Sequence, residues 1–152
     1  MKLAEALVLR ADHQKRLEQL KQRLLRSAKV QEGEQPPEDP AALLAEVDRV
    51  AAELQQLIRR INRTNAAVPL GSGTLSDALA ERDVLGLRRT ILADLAQAAS
   101  VQQDRYSKSE VKFKSTVDVA AVQKQADELA KQYRELDVRI QEANWRVDLL
   151  EG

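Results

Sequence analysis

Between Val119 and Leu150 apolar residues recur at alternating steps of three and four: Val119, Val122, Ala126, Leu129, Tyr133, Leu136, Ile140, Ala143, Val147 and Leu150. A strand alternates with a period of two, so only a helix aligns this set on one side. Held over more than four heptads, the pattern specifies a coiled-coil-like seam. It predicts one helix over about 119–150, roughly 48 Å long at 1.5 Å per residue. Such a rod hides its seam only against other long helices, and the composition can supply them. Ala, Glu, Lys, Leu and Arg make up about half of the chain.

Three further helices are expected. The first, about 2–28, carries Leu3, Ala6, Leu7, His13, Leu17, Leu20 and Leu24 on one face. Gly33, Pro36 and Pro37 interrupt it. Asp39 then caps a second helix, about 40–65, with Pro40 in its first turn and Leu43, Val47, Val50, Leu54, Leu57 and Ile61 as its stripe. Asn62, Arg63, Thr64 and Asn65 are expected to fray its end, because their side chains compete for backbone hydrogen bonds.

Thr74 and Asp77 form a capping-box spacing at the start of a third helix, about 75–104. Its apolar face is broad (Leu79, Val84, Leu85, Leu87, Ile91, Leu92, Leu95, Ala98, Ala99), which calls for more than one neighbour. Gly86 in its middle costs about 1 kcal/mol relative to Ala and points to a closely approaching helix. Val111, Phe113, Ser115 and Val117 alternate with polar residues, predicting a short extended segment near 110–117. The fold class read from these features is all-α: an antiparallel long-helix bundle or coiled coil of four helices, forming a single domain over 1–152.

Antiparallel helices bring the loop at 31–39 and the segment at 105–117 to the same end. The loop carries Glu32, Glu34, Glu38 and Asp39, while Lys112 and Lys114 lie in the basic segment. Glu32, Glu34, Glu38, Lys112 and Lys114 are therefore candidates for an ordered charged cap, set against solvated loops attracting each other by about 0–1 kcal/mol per pair. On the fourth helix Val138 and Trp145 fall opposite the seam, with Leu149 one turn beyond Trp145. Val138, Trp145 and Leu149 form a candidate interface, since tryptophan is a favoured interface anchor. Asn62, Arg63, Thr64 and Asn65 at one end, and Arg105, Tyr106, Ser107 and Lys108 at the other, are candidate polar clusters, with capping and loop bracing as the competing reading.

No catalytic, cofactor or metal site emerges. The chain has no cysteine and a single histidine, His13, so Cys-ligated metals, disulfides and His-rich zinc motifs are excluded. His13 lies on an apolar stripe and reads as a satisfied core or interface residue. A di-iron carboxylate bundle needs Glu-x-x-His, yet Arg10 stands three residues before His13. Gly71-Ser-Gly73 lacks the length and the lysine of a phosphate loop. Lys and Arg total 24, as do Asp and Glu, so the basic residues read as surface charge rather than a nucleic-acid stripe. No apolar run reaches the roughly 20 residues of a membrane span, and charges at Lys2, Glu5 and Arg10 break up the N-terminal stretch as a signal peptide.

Several non-periodic motifs, Met1-Lys-Leu-Ala-Glu-Ala-Leu7, Val30-Gln-Glu-Gly33, Asn62-Arg-Thr-Asn65, Gln103-Asp-Arg-Tyr-Ser107 and Ser115-Thr-Val-Asp-Val-Ala-Ala121, give the chain a resemblance over nearly its full length. It resembles a family of small uncharacterised helical bacterial proteins, some of them named septicolysin. The resemblance implies a helical, cytoplasmic bacterial protein, and the name implies a membrane-active cytolysin. The residues themselves offer no alternating hairpin long enough for a β-pore. The expected function is a non-enzymatic, self-associating helical scaffold or interaction protein, a homo-oligomer with room for another protein partner. The alternatives are a small-ligand or ion-binding protein using the polar clusters, and the cytolysin.

Overall fold

The computed structural model describes residues 1–100 and 111–152. Within them the chain is all-α, with helices α1 (Leu3–Arg26), α2 (Pro40–Ala67), α3 (Leu75–Ala99) and α4 (Val119–Arg146). A hairpin of two-residue strands, β1 (Pro69–Leu70) and β2 (Gly73–Thr74), leads into α3. The chain divides into two compact units, residues 1–69 with 142–152, and residues 70–141.

In the first unit α1 and α2 form an antiparallel pair. Arg23 bonds Glu38 just before α2, and within the helices Arg16 bonds Glu46 and His13 bonds Glu53, so each step back along α1 is a step forward from Glu38 along α2. Between them Leu20, Leu43 and Val50 are buried, with Leu17, Leu24 and Val47 packed around them. Hiding a leucine side chain from water contributes about 1.5–3 kcal/mol, so this row holds the pair together and the ion pairs set its register. The Asp39 cap forms as expected: its carboxylate accepts the Ala41 amide at 3.1 Å, with Pro40 in the first turn.

Two expectations fail in this unit. Residues 62–65 do not fray, and α2 runs on to Ala67. The reason is Thr64, which is fully buried: its hydroxyl donates to the Arg60 carbonyl at 2.7 Å and accepts the Leu150 amide at 3.0 Å. Nor does α4 continue to Leu150; it stops at Arg146. The chain then turns extended against its own beginning. Leu3 donates its amide to the Val147 carbonyl at 2.9 Å, and Leu149 donates to the Met1 carbonyl at 2.8 Å. Lys2 reinforces the change, bonding the Arg146 carbonyl at 3.1 Å and the Asp148 carboxylate at 2.9 Å. Its ammonium thus sits at the negative end of the α4 dipole and meets a carbonyl that the helix leaves unpaired.

The second unit holds the hairpin, α3 and most of α4. Gly71 takes a positive φ of 62° in the tight turn, a conformation that glycine adopts at little cost. The capping box at Thr74 and Asp77 is present: the Thr74 amide donates to Asp77 at 2.8 Å and the Asp77 amide donates to the Thr74 hydroxyl at 3.2 Å. α3 and α4 run antiparallel, with Arg82 on Asp137 at 2.9 Å and Gly86 opposite Tyr133. A Cβ at Gly86 would stand 3.3 Å from Tyr133 Cε2, so the space left by the missing side chain is taken by a tyrosine ring rather than by a neighbouring helix backbone. Buried positions are Leu75, Ala78, Leu85 and Ala96 on α3, and Ala126, Leu129, Leu136 and Ile140 on α4.

Here too the sequence reading needs correction. α3 ends at Ala99 rather than near residue 104. Residues 111–117 form no strand. Ser115 instead closes a local turn, its hydroxyl donating to the Val117 carbonyl at 2.8 Å, and Asp118 then accepts the Ala121 amide at 3.2 Å to start α4. Side-chain capping satisfies the backbone that a ladder would otherwise have to satisfy.

Candidate functional site

The side of α3 turned away from its buried residues is apolar. Val84, Leu87, Ile91 and Leu95 are 52%, 65%, 65% and 40% exposed, and their spacing of three, four and four places them in one row. Leu85, Ala78 and Ala96 occupy the opposite side of the same helix and are buried. The breadth of the apolar face therefore divides in two: one half is buried and the other meets solvent. Acidic Asp83 and Asp94 flank the row on one side, and Arg88 on the other, all exposed. Contiguous exposed apolar surface of this kind marks association sites.

The proposed interface on α4 is only partly present. Val138 and Trp145 are exposed, at 55% and 61%. Leu149 is not on their side: it lies in the extended tail and is buried, because the helix ends before reaching it.

A second concave region lies between α1 and α2, a groove of about 450 Å³ lined by residues that include Asp12, His13, Arg16, Arg49 and Glu53. His13 Nδ1 lies 2.9 Å from the Leu9 carbonyl and Nε2 lies 3.1 Å from the Glu53 carboxylate. Arg49 donates to the other Glu53 oxygen at 3.0 Å. The hydrogen bond from His13, and then that from Arg49, hold the Glu53 carboxyl below the usual carboxylate range. Arg16 does the same for Glu46 through its hydrogen bond. Both ring nitrogens of His13 are engaged by acceptors, so this histidine ties α1 to α2, the satisfied role read from its place on the stripe.

The polar residues at the end of α2 also serve the backbone. Besides Thr64, Arg63 bonds the Gly152 carbonyl and Arg60 Nε donates to the Leu150 carbonyl at 3.0 Å. Asn62 is exposed and Asn65 half-buried. Arg60, Arg63 and Thr64 fasten the C-terminal tail, a role that the sequence signalled only through polar residues that do not fit the apolar stripe. The second polar cluster, Arg105, Tyr106, Ser107 and Lys108, lies outside the described residues. Of the charged-cap residues, Glu38 is engaged by Arg23 at 2.9 Å, and that hydrogen bond lowers its pKa. Glu32, Glu34, Lys112 and Lys114 are exposed. Among the described residues no group of three or more His, Cys, Asp or Glu side chains is arranged to hold a metal. Among them, too, no helix is long and apolar enough to cross a membrane.

Comparison with known proteins supports the resemblance in part. A crystal structure of a functionally unknown conserved protein from Corynebacterium diphtheriae is 47% identical, with a TM-score of 0.94, and the match covers 99% of each chain. No curated protein matches. The septicolysin name finds no support in these matches. A family model described as a family of unknown function, DUF6847, matches residues 10–149, and the chain belongs to that family.

Proposed function

We propose that this protein is a non-enzymatic, self-associating helical scaffold or interaction protein of the bacterial cytoplasm, and that its homotypic contact is made by α3. The observation that carries this reading is the row of Val84, Leu87, Ile91 and Leu95, large aliphatic residues held in water by a helix whose other side is already packed. Each exposes about half its surface, so covering one recovers about 1 kcal/mol. Two such rows together recover about 8 kcal/mol, which is of the same order as the cost of bringing two chains together. A reversible assembly that responds to concentration is the expected behaviour. Trp145, on α4, offers a separate place for a further protein partner. Sedimentation velocity over a range of concentrations tests the proposal. A weight-average mass rising above 17.0 kDa supports it, and a constant 17.0 kDa rejects it.

A further inference from the structure

We infer that His13 is held as the imidazolium in the folded chain, and that loss of its second proton acts as a pH-dependent catch on the α1–α2 pair. Each ring nitrogen lies beside an oxygen that can only accept. Nδ1 is 2.9 Å from the Leu9 carbonyl, and Nε2 is 3.1 Å from Glu53 Oε2. A backbone carbonyl has no proton to give. The Glu53 carboxyl has none either, because hydrogen bonds from His13 and then Arg49 favour its ionised form. A neutral imidazole carries a single N–H, so either tautomer turns a lone pair toward one of these oxygens. Only the doubly protonated ring satisfies both contacts.

The surroundings leave the charge of the ring to these two contacts. The side chain of His13 is only 15% exposed, and burial by itself favours the neutral ring, so the charge depends on its partners. Around it in the groove stand Asp12, Lys15 and Arg16 on α1, with Arg49 and Glu53 on α2. Arg16 donates to Glu46 at 3.2 Å and Arg49 to Glu53 at 3.0 Å, so each guanidinium has a carboxylate of its own. Asp12 and Lys15 add one charge of each sign. What distinguishes His13 is a carboxylate oxygen at one nitrogen and a carbonyl oxygen at the other, and both favour the charged form.

Histidine is the side chain whose charge ordinarily changes between pH 5 and 8. With both protons in place, His13 ties α1 to α2 by a charge-assisted bond. When the second proton leaves, the ring keeps one contact and loses the other, and the bond across the helices loses its charge. The folded chain therefore holds this proton more tightly than the unfolded one. The stabilisation is present at lower pH and is lost as pH rises through the folded-state titration of the ring. Glu53 acts in the opposite sense, its contribution being lost in acid, so the contact is complete only between the two titrations.

His13 is the single histidine of the chain, so its ring signals need no assignment. Nitrogen-15 NMR of the full chain from pH 5 to 9 reads the protonation of both ring nitrogens directly. Glu53→Gln keeps an acceptor and removes the charge, and should weaken the hold on the second proton by about threefold to tenfold. Stability provides a second readout. Between pH 6 and 8 the folding constant of the wild type, measured by urea titration, should fall by about the same threefold to tenfold relative to that of His13→Gln. Both changes together support the catch. A ring that titrates alike in the wild type and in Glu53→Gln overturns it, and so does a stability difference between wild type and His13→Gln that stays constant from pH 6 to 8.

Discussion

The α1–α2 pair and α3 handle their apolar residues in opposite ways. Along α1 and α2 two cross-helix bonds, Arg16–Glu46 and His13–Glu53, and the bond from Arg23 to Glu38 just before α2, flank a closed row of leucines and valines. α3 buries Leu75, Ala78, Leu85 and Ala96 and leaves Val84, Leu87, Ile91 and Leu95 facing water. Within the first region charge and apolar surface serve the same contact. On α3 the exposed charges border apolar side chains that face water. The difference separates apolar residues that stabilise the fold from those we propose serve association, and substitution can test that division.

The largest effect is expected at Leu20, which has no exposed surface: Leu20→Ala should cost about 2–5 kcal/mol of unfolding free energy in urea titration. Leu87→Ser, on the exposed row, should change that free energy by no more than about 0.5 kcal/mol while reducing self-association. Equal losses of stability at the two positions would erase the distinction. Gly86→Leu comes next. It forces a side chain into the space in which Tyr133 already lies 3.3 Å from a modest Cβ, and should destabilise the α3–α4 contact by about 1–3 kcal/mol.

Thr64→Val sharpens the comparison within the first unit. It removes the acceptor for the Leu150 amide, with an expected cost of about 1–2 kcal/mol. Amide exchange should rise at Leu149 and Leu150 before it rises in the centre of α2. Uniform protection across these sites would show that the tail is held by other means.

Acid should act more gently, and unevenly. Glu38, Glu46 and Glu53 have carboxyls held low by hydrogen bonds from Arg23, Arg16 and His13 respectively. The unfolded chain therefore binds protons more readily than the folded one. The stabilisation is fully present above the ordinary carboxylate range and is lost as pH falls through the lower, folded-state values. In the second unit Asp77 is lowered in the same sense, by backbone and then side-chain hydrogen bonds with Thr74, and its protonation loosens the start of α3. Hydrogen exchange followed from pH 6 to 3 should show α1 and α2 losing protection along their shared length, and α3 losing it first at its N-terminus.

Much of this architecture was legible in the sequence because local rules agree with each other. Asp39-Pro40 and Thr74–Asp77 mark helix starts by hydrogen bonds within a few residues, and both caps are present. Gly86 signalled a close neighbour, and the Tyr133 ring is that neighbour, reaching the glycine from α4. The failures occur where distant segments decide. Nothing local to Val147–Leu150 ends the seam; the competing partner is the backbone of Met1 and Leu3, far away in sequence. Thr64 looked like a residue that weakens a helix because its partner, Leu150, lies 86 residues on. Near 110–117 the alternating pattern suggested a strand, but alternation supplies no neighbour to pair with, and Ser115 bonds the Val117 backbone instead. The α3 surface was visible as an overly wide apolar face, yet periodicity alone does not say which half is buried.

The central claim is that the outer row of α3 is a contact surface and not part of the folded core. The most direct measurement is sedimentation velocity of the wild-type chain and the Leu87→Ser, Ile91→Ser double variant, matched in concentration and checked for equal unfolding midpoints. The account expects the wild type to gain mass with concentration and the variant to remain at 17.0 kDa with its fold intact. Identical masses for the two proteins, or a variant that unfolds, would contradict it.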